Sequence, residues 1–167
     1  MVATILKDKS LKTKEQVLAL AENILATNIS INDVVSYALE AKDSETANCI
    51  EALEFVTKQQ ANCLSNDHFN FVVNCLNHKA PRIKWESAKV IGNTAFNHQN
   101  QLEKALVHLL LNTEHEGTVV RWSAAFAIGE IYKLNSGFNK DLKPAIEAIV
   151  LREEKNSIKK IYMKLLK

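Results

Sequence analysis

The chain has 167 residues with 21 basic and 19 acidic side chains, a net charge of +2, and 47% apolar against 24% charged residues. These values belong to an ordinary globular domain and exclude a disordered or collagen-like chain. Only four Gly and two Pro occur, against usual shares of about 7% and 5%, so the chain has few turn formers for β-hairpins and favours helices. Eighteen of the 21 cations are Lys, which hydrates strongly and does not fork onto phosphate as Arg does. Charge alone therefore names no partner.

No run of about 18 apolar residues is available to span a bilayer. The apolar stretch ahead of Lys7 is too short for a signal-peptide core, and a cytoplasmic protein without membrane contact is expected. Cys49, Cys63 and Cys75 form an odd set without framework spacing, as reduced thiols do.

In chain order, Thr13 and Gln16 have the spacing of a capping box before Val17, Leu20, Ala21 and Ile24, which predicts an amphipathic helix over 13–27. Ser30 to Asp33 opens a second helix, and Ser44 to Val56 a third with Ile50, Leu53 and Val56 on its inner face. Phe69, Val72, Val73 and Leu76 recur at helical spacing within 67–76. Pro81 then restarts the chain at a first helical turn. Further helices follow over 83–96, 101–111, 118–134, about 141–151, and from Ser157 onward. No strand alternation and no linker interrupts them, so residues 1–167 read as a single all-α domain.

The segments HKAPRIKWESAKVIGN, from His78, and HEGTVVRWSAAFAIGE, from His115, repeat the same letters 37 residues apart. A fixed period of about 40 residues with two helices in each is the signature of stacked helical hairpins. Shifting by 38 residues brings Ala125, Ala127 and Ile128 onto Met163, Leu165 and Leu166, and brings Ala88, Val90 and Ile91 onto Ile50, Ala52 and Leu53. Four repeats result, at approximately 30–58, 66–97, 100–135 and 141–167, with 13–27 as an additional helix in front. Pro81-Arg82-Ile83-Lys84 with Ala88, Ile91 and Gly92, and Val120-Arg121 with Ala124, Ala125, Ile128 and Gly129, resemble the second helix of the HEAT-repeat family. The resemblance is specific over about 66–134 and implies an α-α superhelix, a HEAT-like solenoid.

Within that frame the repeated Lys84, Trp85, Ala88 and Gly92, and their counterparts Arg121, Trp122, Ala125 and Gly129, are expected to be architectural. Gly in a helix costs about 1 kcal/mol against Ala and points to close approach of paired helices. The tryptophans are expected to fill inter-helix space. The resemblance implies that Lys84 and Arg121 ladder to acidic groups of neighbouring units.

Cys63, His68, Cys75 and His78 superficially suggest zinc. However, His68 and Cys75 lie seven residues apart on one helix, about 10 Å along its axis, too far for one tetrahedral ion. No metal, no cofactor and no catalytic residue is assigned.

The second helices of a curved stack line its concave face. Their outward stripe, counted at i, i+3 and i+7, includes Phe55, Glu86, Lys89, Asn93, Phe126, Glu130 and Lys164. Aromatics among charges of both signs fit a protein or peptide better than a phosphate backbone, so a non-enzymatic scaffold with Phe55 and Phe126 as anchors is expected. A nucleic-acid reading rests on Lys155, Lys159, Lys160, Lys164 and Lys167, joined by Lys84, Lys89 and Arg121. A third, catalytic reading comes only from the repeat class, which resembles alkylpurine DNA glycosylases and bilin lyases. A helical pattern that reaches Lys167 without a capping glycine leaves terminal surface for self-association.

Overall fold

The computed structural model describes residues 1–167 as ten α-helices and no strand: α1 Val2–Leu6, α2 Thr13–Leu25, α3 Ile31–Glu40, α4 Asp43–Gln59, α5 Asn66–Cys75, α6 Pro81–Thr94, α7 Leu102–Asn112, α8 Thr118–Lys133, α9 Asn139–Arg152 and α10 Asn156–Leu165. A 3₁₀ segment, Ala95–Gln101, joins α6 to α7. Local chemistry sets several starts. Ser30 Oγ accepts from the Asp33 N–H while the Asp33 carboxylate accepts back from Ser30, and Ser65 with His68 makes the same reciprocal pair. Pro81 occupies the first turn of α6. The box expected at Thr13 and Gln16 is not made. Lys12 precedes the helix, the Glu15 carboxylate accepts its N–H at 2.6 Å, and the Gln16 amide donates to the Asp8 carbonyl.

Even-numbered helices form an inner layer in which α2 packs on α4, α4 on α6, α6 on α8 and α8 on α10. Odd-numbered helices lie behind them as an outer layer. The helix expected to stand alone in front, α2, is itself an inner helix, and α1 packs against it through buried Val2 and Leu6. Five hairpins therefore stack, the first with a short outer arm. A continuous core runs from Val2 to Tyr162. No helix is long and apolar enough to cross a membrane.

The repeated letters account for how units join. His78 Nδ1 accepts the N–H of Ala80 and His115 Nδ1 that of Gly117, each closing the turn ahead of an inner helix. Glu153 holds the same place in the last unit and accepts the N–H of Lys155. Lys84 donates to Asn112 Oδ1 at 3.1 Å, and Arg121 donates to the Glu153 carboxylate at 3.0 Å. Each cation thus reaches the end of the next unit's outer helix, although Lys84 finds an amide where an acid was expected. Burial pushes the carboxyl pKa of Glu153 up, but the Arg121 hydrogen bond and the Lys155 N–H outweigh it and hold the group below its ordinary value. Ala88 and Ala125 are buried between helices.

The two glycines differ. A Cβ on Gly92 would stand 2.5 Å from the Phe126 ring of α8, whereas one on Gly129 would meet Leu165 of α10 at an ordinary 3.7 Å. Gly129→Ala is therefore expected to raise stability by up to about 1 kcal/mol through helix propensity. In Gly92→Ala that gain is offset by about 1–3 kcal/mol of overpacking, so it melts below Gly129→Ala in a thermal denaturation series. Equal gains in both variants would contradict the close approach.

His98, in the 3₁₀ segment, is buried and stacks on Phe69 with ring centroids 4.3 Å apart. Burial pushes its pKa down, opposed by the Gln101 hydrogen bond, and burial lowers His68 and His108 as well. Because the folded state disfavours the charged ring, the unfolded chain binds more protons between the two values. Stability is then full above the unfolded-state pKa of about 6.5 and falls as pH drops through it toward the folded-state value. Urea midpoints are expected to be lower at pH 5 than at pH 7.5, with His98→Gln flattening part of the difference. A pH-independent midpoint would refute this.

Candidate functional site

Every inner helix between α4 and α8 is covered by an inner neighbour on each side and by an outer helix behind, which leaves one side open. The open side follows an i, i+4, i+8 progression. On α6 it presents Trp85, Lys89 and Asn93, all half-buried. On α8 it presents Trp122, Phe126 and Glu130. On α4 the side presents Glu51 and Phe55, the equivalent of Trp85 being buried Ala47, and on α10 it presents Lys160 and Lys164.

Trp122 is 41% exposed and does not fill inter-helix space as the repeat suggested. Its indole lies parallel to the Phe126 ring, with centroids 6.2 Å apart and planes 6° from parallel. Phe126, expected as a groove anchor, is seated in the hollow that Gly92 leaves on α6. It thereby supports Trp122 from below while keeping one edge in solvent. Phe55 is half-buried, with the Lys58 ammonium 5.7 Å from its ring centroid.

Glu86, assigned to the outward stripe, is instead only 4% exposed. Trp85 Nε1 donates to one of its oxygens at 2.7 Å and Lys89 pairs with the other at 2.7 Å. Buried Glu54 of α4 takes an ion pair from Lys58 at 2.5 Å and lies 3.9 Å from Lys89. Lys89 thus bridges two buried carboxylates and offsets part of the cost of burying them. Asn93 donates to the Glu54 carbonyl and to Thr57 Oγ1, fastening α6 to α4. Arg82 pairs with Glu51 at 2.5 Å and Lys133 with Glu130 at 2.6 Å.

Most charges on the α4 to α8 part of this face therefore already have partners. Lys160 and Lys164 on α10 are exposed and make no ion pair. Lys84, Lys89 and Arg121 are held by groups of the protein itself, and burial pushes the Lys84 pKa down. They do not extend the basic surface of α10. Of the four residues that mimic a zinc set, His68 Nε2 lies 2.6 Å from Asn32 and His78 serves its turn. Cys75 is buried.

No family model and no curated protein matches the chain. Solved structures match over 99% of it. A designed armadillo repeat protein in complex with the peptide (KR)4 aligns with a TM-score of 0.78 at 17% identity, over 78% of that protein. A second designed armadillo repeat protein gives 0.75 at 20% identity over 79% of its chain. The complex of CpcE and CpcF of phycocyanin lyase from Nostoc sp. PCC7120 gives 0.72 at 13% identity over 95% of the matched chain. At these identities the likeness is one of fold, an armadillo- and HEAT-like helical-repeat solenoid.

Proposed function

We propose that the protein is a peptide-binding HEAT-type scaffold of the cytoplasm whose ligand lies across the open side of α6, α8 and α10. The observation that carries this reading is the Trp122–Phe126 stack, a partly exposed aromatic platform seated on the preceding inner helix, α6, at Gly92. Large aromatics fixed by packing lose little entropy on binding and dominate interface energetics. Ligand chemistry follows from the neighbouring charges. Glutamates and lysines on α4 and α6 neutralise one another, whereas Lys160 and Lys164 are unpaired. A suitable ligand thus places an aromatic or Leu side chain on Trp122 and carries Asp or Glu toward α10. A designed armadillo repeat protein of this fold is solved in complex with a peptide, (KR)4, which supports a peptide as the class of ligand. Its basic peptide is not the chemistry expected here.

The test uses two fluorescein-labelled peptides that share a Leu-Phe core, one followed by four acidic residues and one by four lysines. Fluorescence anisotropy is expected to show binding of the acidic peptide, weakened by added salt. Trp122→Ala should weaken it about thirtyfold, the scale of an interface hot spot, with an unchanged helical circular dichroism spectrum. Lys160→Gln with Lys164→Gln should weaken it a few-fold and reduce the salt dependence. Preference for the lysine peptide, or indifference to Trp122→Ala, would overturn the assignment.

A further inference from the structure

Outer helices also pack in sequence, α1 on α3, α3 on α5 and α5 on α7, but α7 and α9 do not close on each other in the same way. Between them lies an open crevice. Leu106 of α7 and Leu142 of α9, both buried, line its base, half-buried Leu110 of α7 and Phe138 at the start of α9 form its apolar walls, and Val107 stands on the rim. Leu106 and Leu110, and likewise Phe138 and Leu142, stand about 6 Å apart along their helices, one helical turn, which is the spacing at which the side chains of a third helix pack.

The sequence of α7 carries the same message. Leu102, Ala105, Leu106 and Leu109 face the core, yet Val107 is 55% and Leu111 64% exposed on the opposite side. Apolar side chains outside the core-facing stripe of a helix are ordinarily covered by a further contact.

Two carboxylates indicate what covers it. Glu103 and Asp141 line the crevice, both are exposed, and neither makes a hydrogen bond or ion pair through its side chain. No cation lines the crevice, and Lys104, adjacent to Glu103, is held by Asn74. Glu103 and Asp141 occupy the first turns of α7 and α9. As outer arms of successive hairpins these helices run the same way, so both acids mark one end.

We propose that the α7–α9 crevice docks an amphipathic helix of another protein, two to three turns long, whose apolar face ends in Lys or Arg at its C-terminal end. Basic residues there complement both acids and the ligand helix's own dipole, so the ligand runs antiparallel to α7 and α9. The site lies on the layer opposite the peptide face and does not depend on it.

The probes are two 14-residue amphipathic helical peptides with the same leucine face, one ending in two lysines and the other in two glutamates. Anisotropy is expected to show the lysine-ended peptide binding about tenfold more tightly. Glu103→Gln with Asp141→Asn should weaken that peptide about three- to tenfold, the range of two exposed ion pairs. Val107→Arg, at a half-exposed rim position that keeps the fold, should weaken it more than tenfold, and Trp122→Ala should leave it unchanged. Equal affinity for both peptides, absence of binding, or indifference to Val107→Arg would overturn the proposal. So would a dimer in sedimentation that Val107→Arg dissociates, since the occupant would then be a second copy of the chain.

Discussion

Close approach between successive inner helices constrains everything else in this molecule. An inner helix packed on both flanks and backed by an outer arm keeps only one row of side chains for solvent. At the tightest point, α6 gives up a side chain altogether at Gly92, and α8 fills the hollow with Phe126. The same contact has two consequences. It fixes the spacing of the units, and it turns Phe126 into a rigid base on which Trp122 lies flat. Platform and packing are one interaction, so the face cannot be reshaped without disturbing the stack.

Contacts at the ends of the helices reinforce that spacing. Arg121 reaches across to Glu153 while also donating to the carbonyls of His115 and Glu116, and Glu153 closes its own turn through the Lys155 N–H. Lys84 with Asn112 is a weaker version, because a neutral amide replaces the carboxylate. These cations are consumed by architecture and are lost to any anionic ligand. The surface thus acquires its polarity from α10, which carries Lys160 and Lys164 at the positions where α8 has Trp122 and Phe126.

Much of this was legible in the letters. The 37-residue echo gave the hairpins, the small residues gave the close approach, and the absence of turn formers gave the class. Three features were not legible, each for a physical reason. The short arm α1 makes no repeat match and is held by Val2 and Leu6 with Ile5 packed beside them, so its five residues carry too little pattern. The open stripe starts one residue earlier than the i, i+3, i+7 count places it, and one residue turns a helix by about 100°. Glu86 is therefore expected where Trp85 stands and Ser123 where Trp122 stands, and a carboxylate that looks solvent-seeking lies buried beneath Lys89 and the Trp85 indole. Lastly, the different space at Gly92 and Gly129 depends on which residue of the following helix arrives there, Phe126 in one unit and Leu165 in the next. A repeat alignment treats those positions as equivalent.

What distinguishes the units is therefore what the open face offers a ligand. Across α6, α8 and α10 one row reads Trp85, Trp122, Lys160, and across α4, α6, α8 and α10 the next reads Glu51, Lys89, Phe126, Lys164, so self-neutralised charge gives way to aromatic surface and then to free cations. The most direct test of this account is amide and indole chemical-shift mapping of the isotope-labelled protein during titration with the acidic Leu-Phe peptide. Changes should concentrate at the Trp122 indole, Phe126, Lys160 and Lys164, with little movement at the turns of His78 and His115. Changes confined to the outer helices, or spread evenly over all five hairpins, would contradict it.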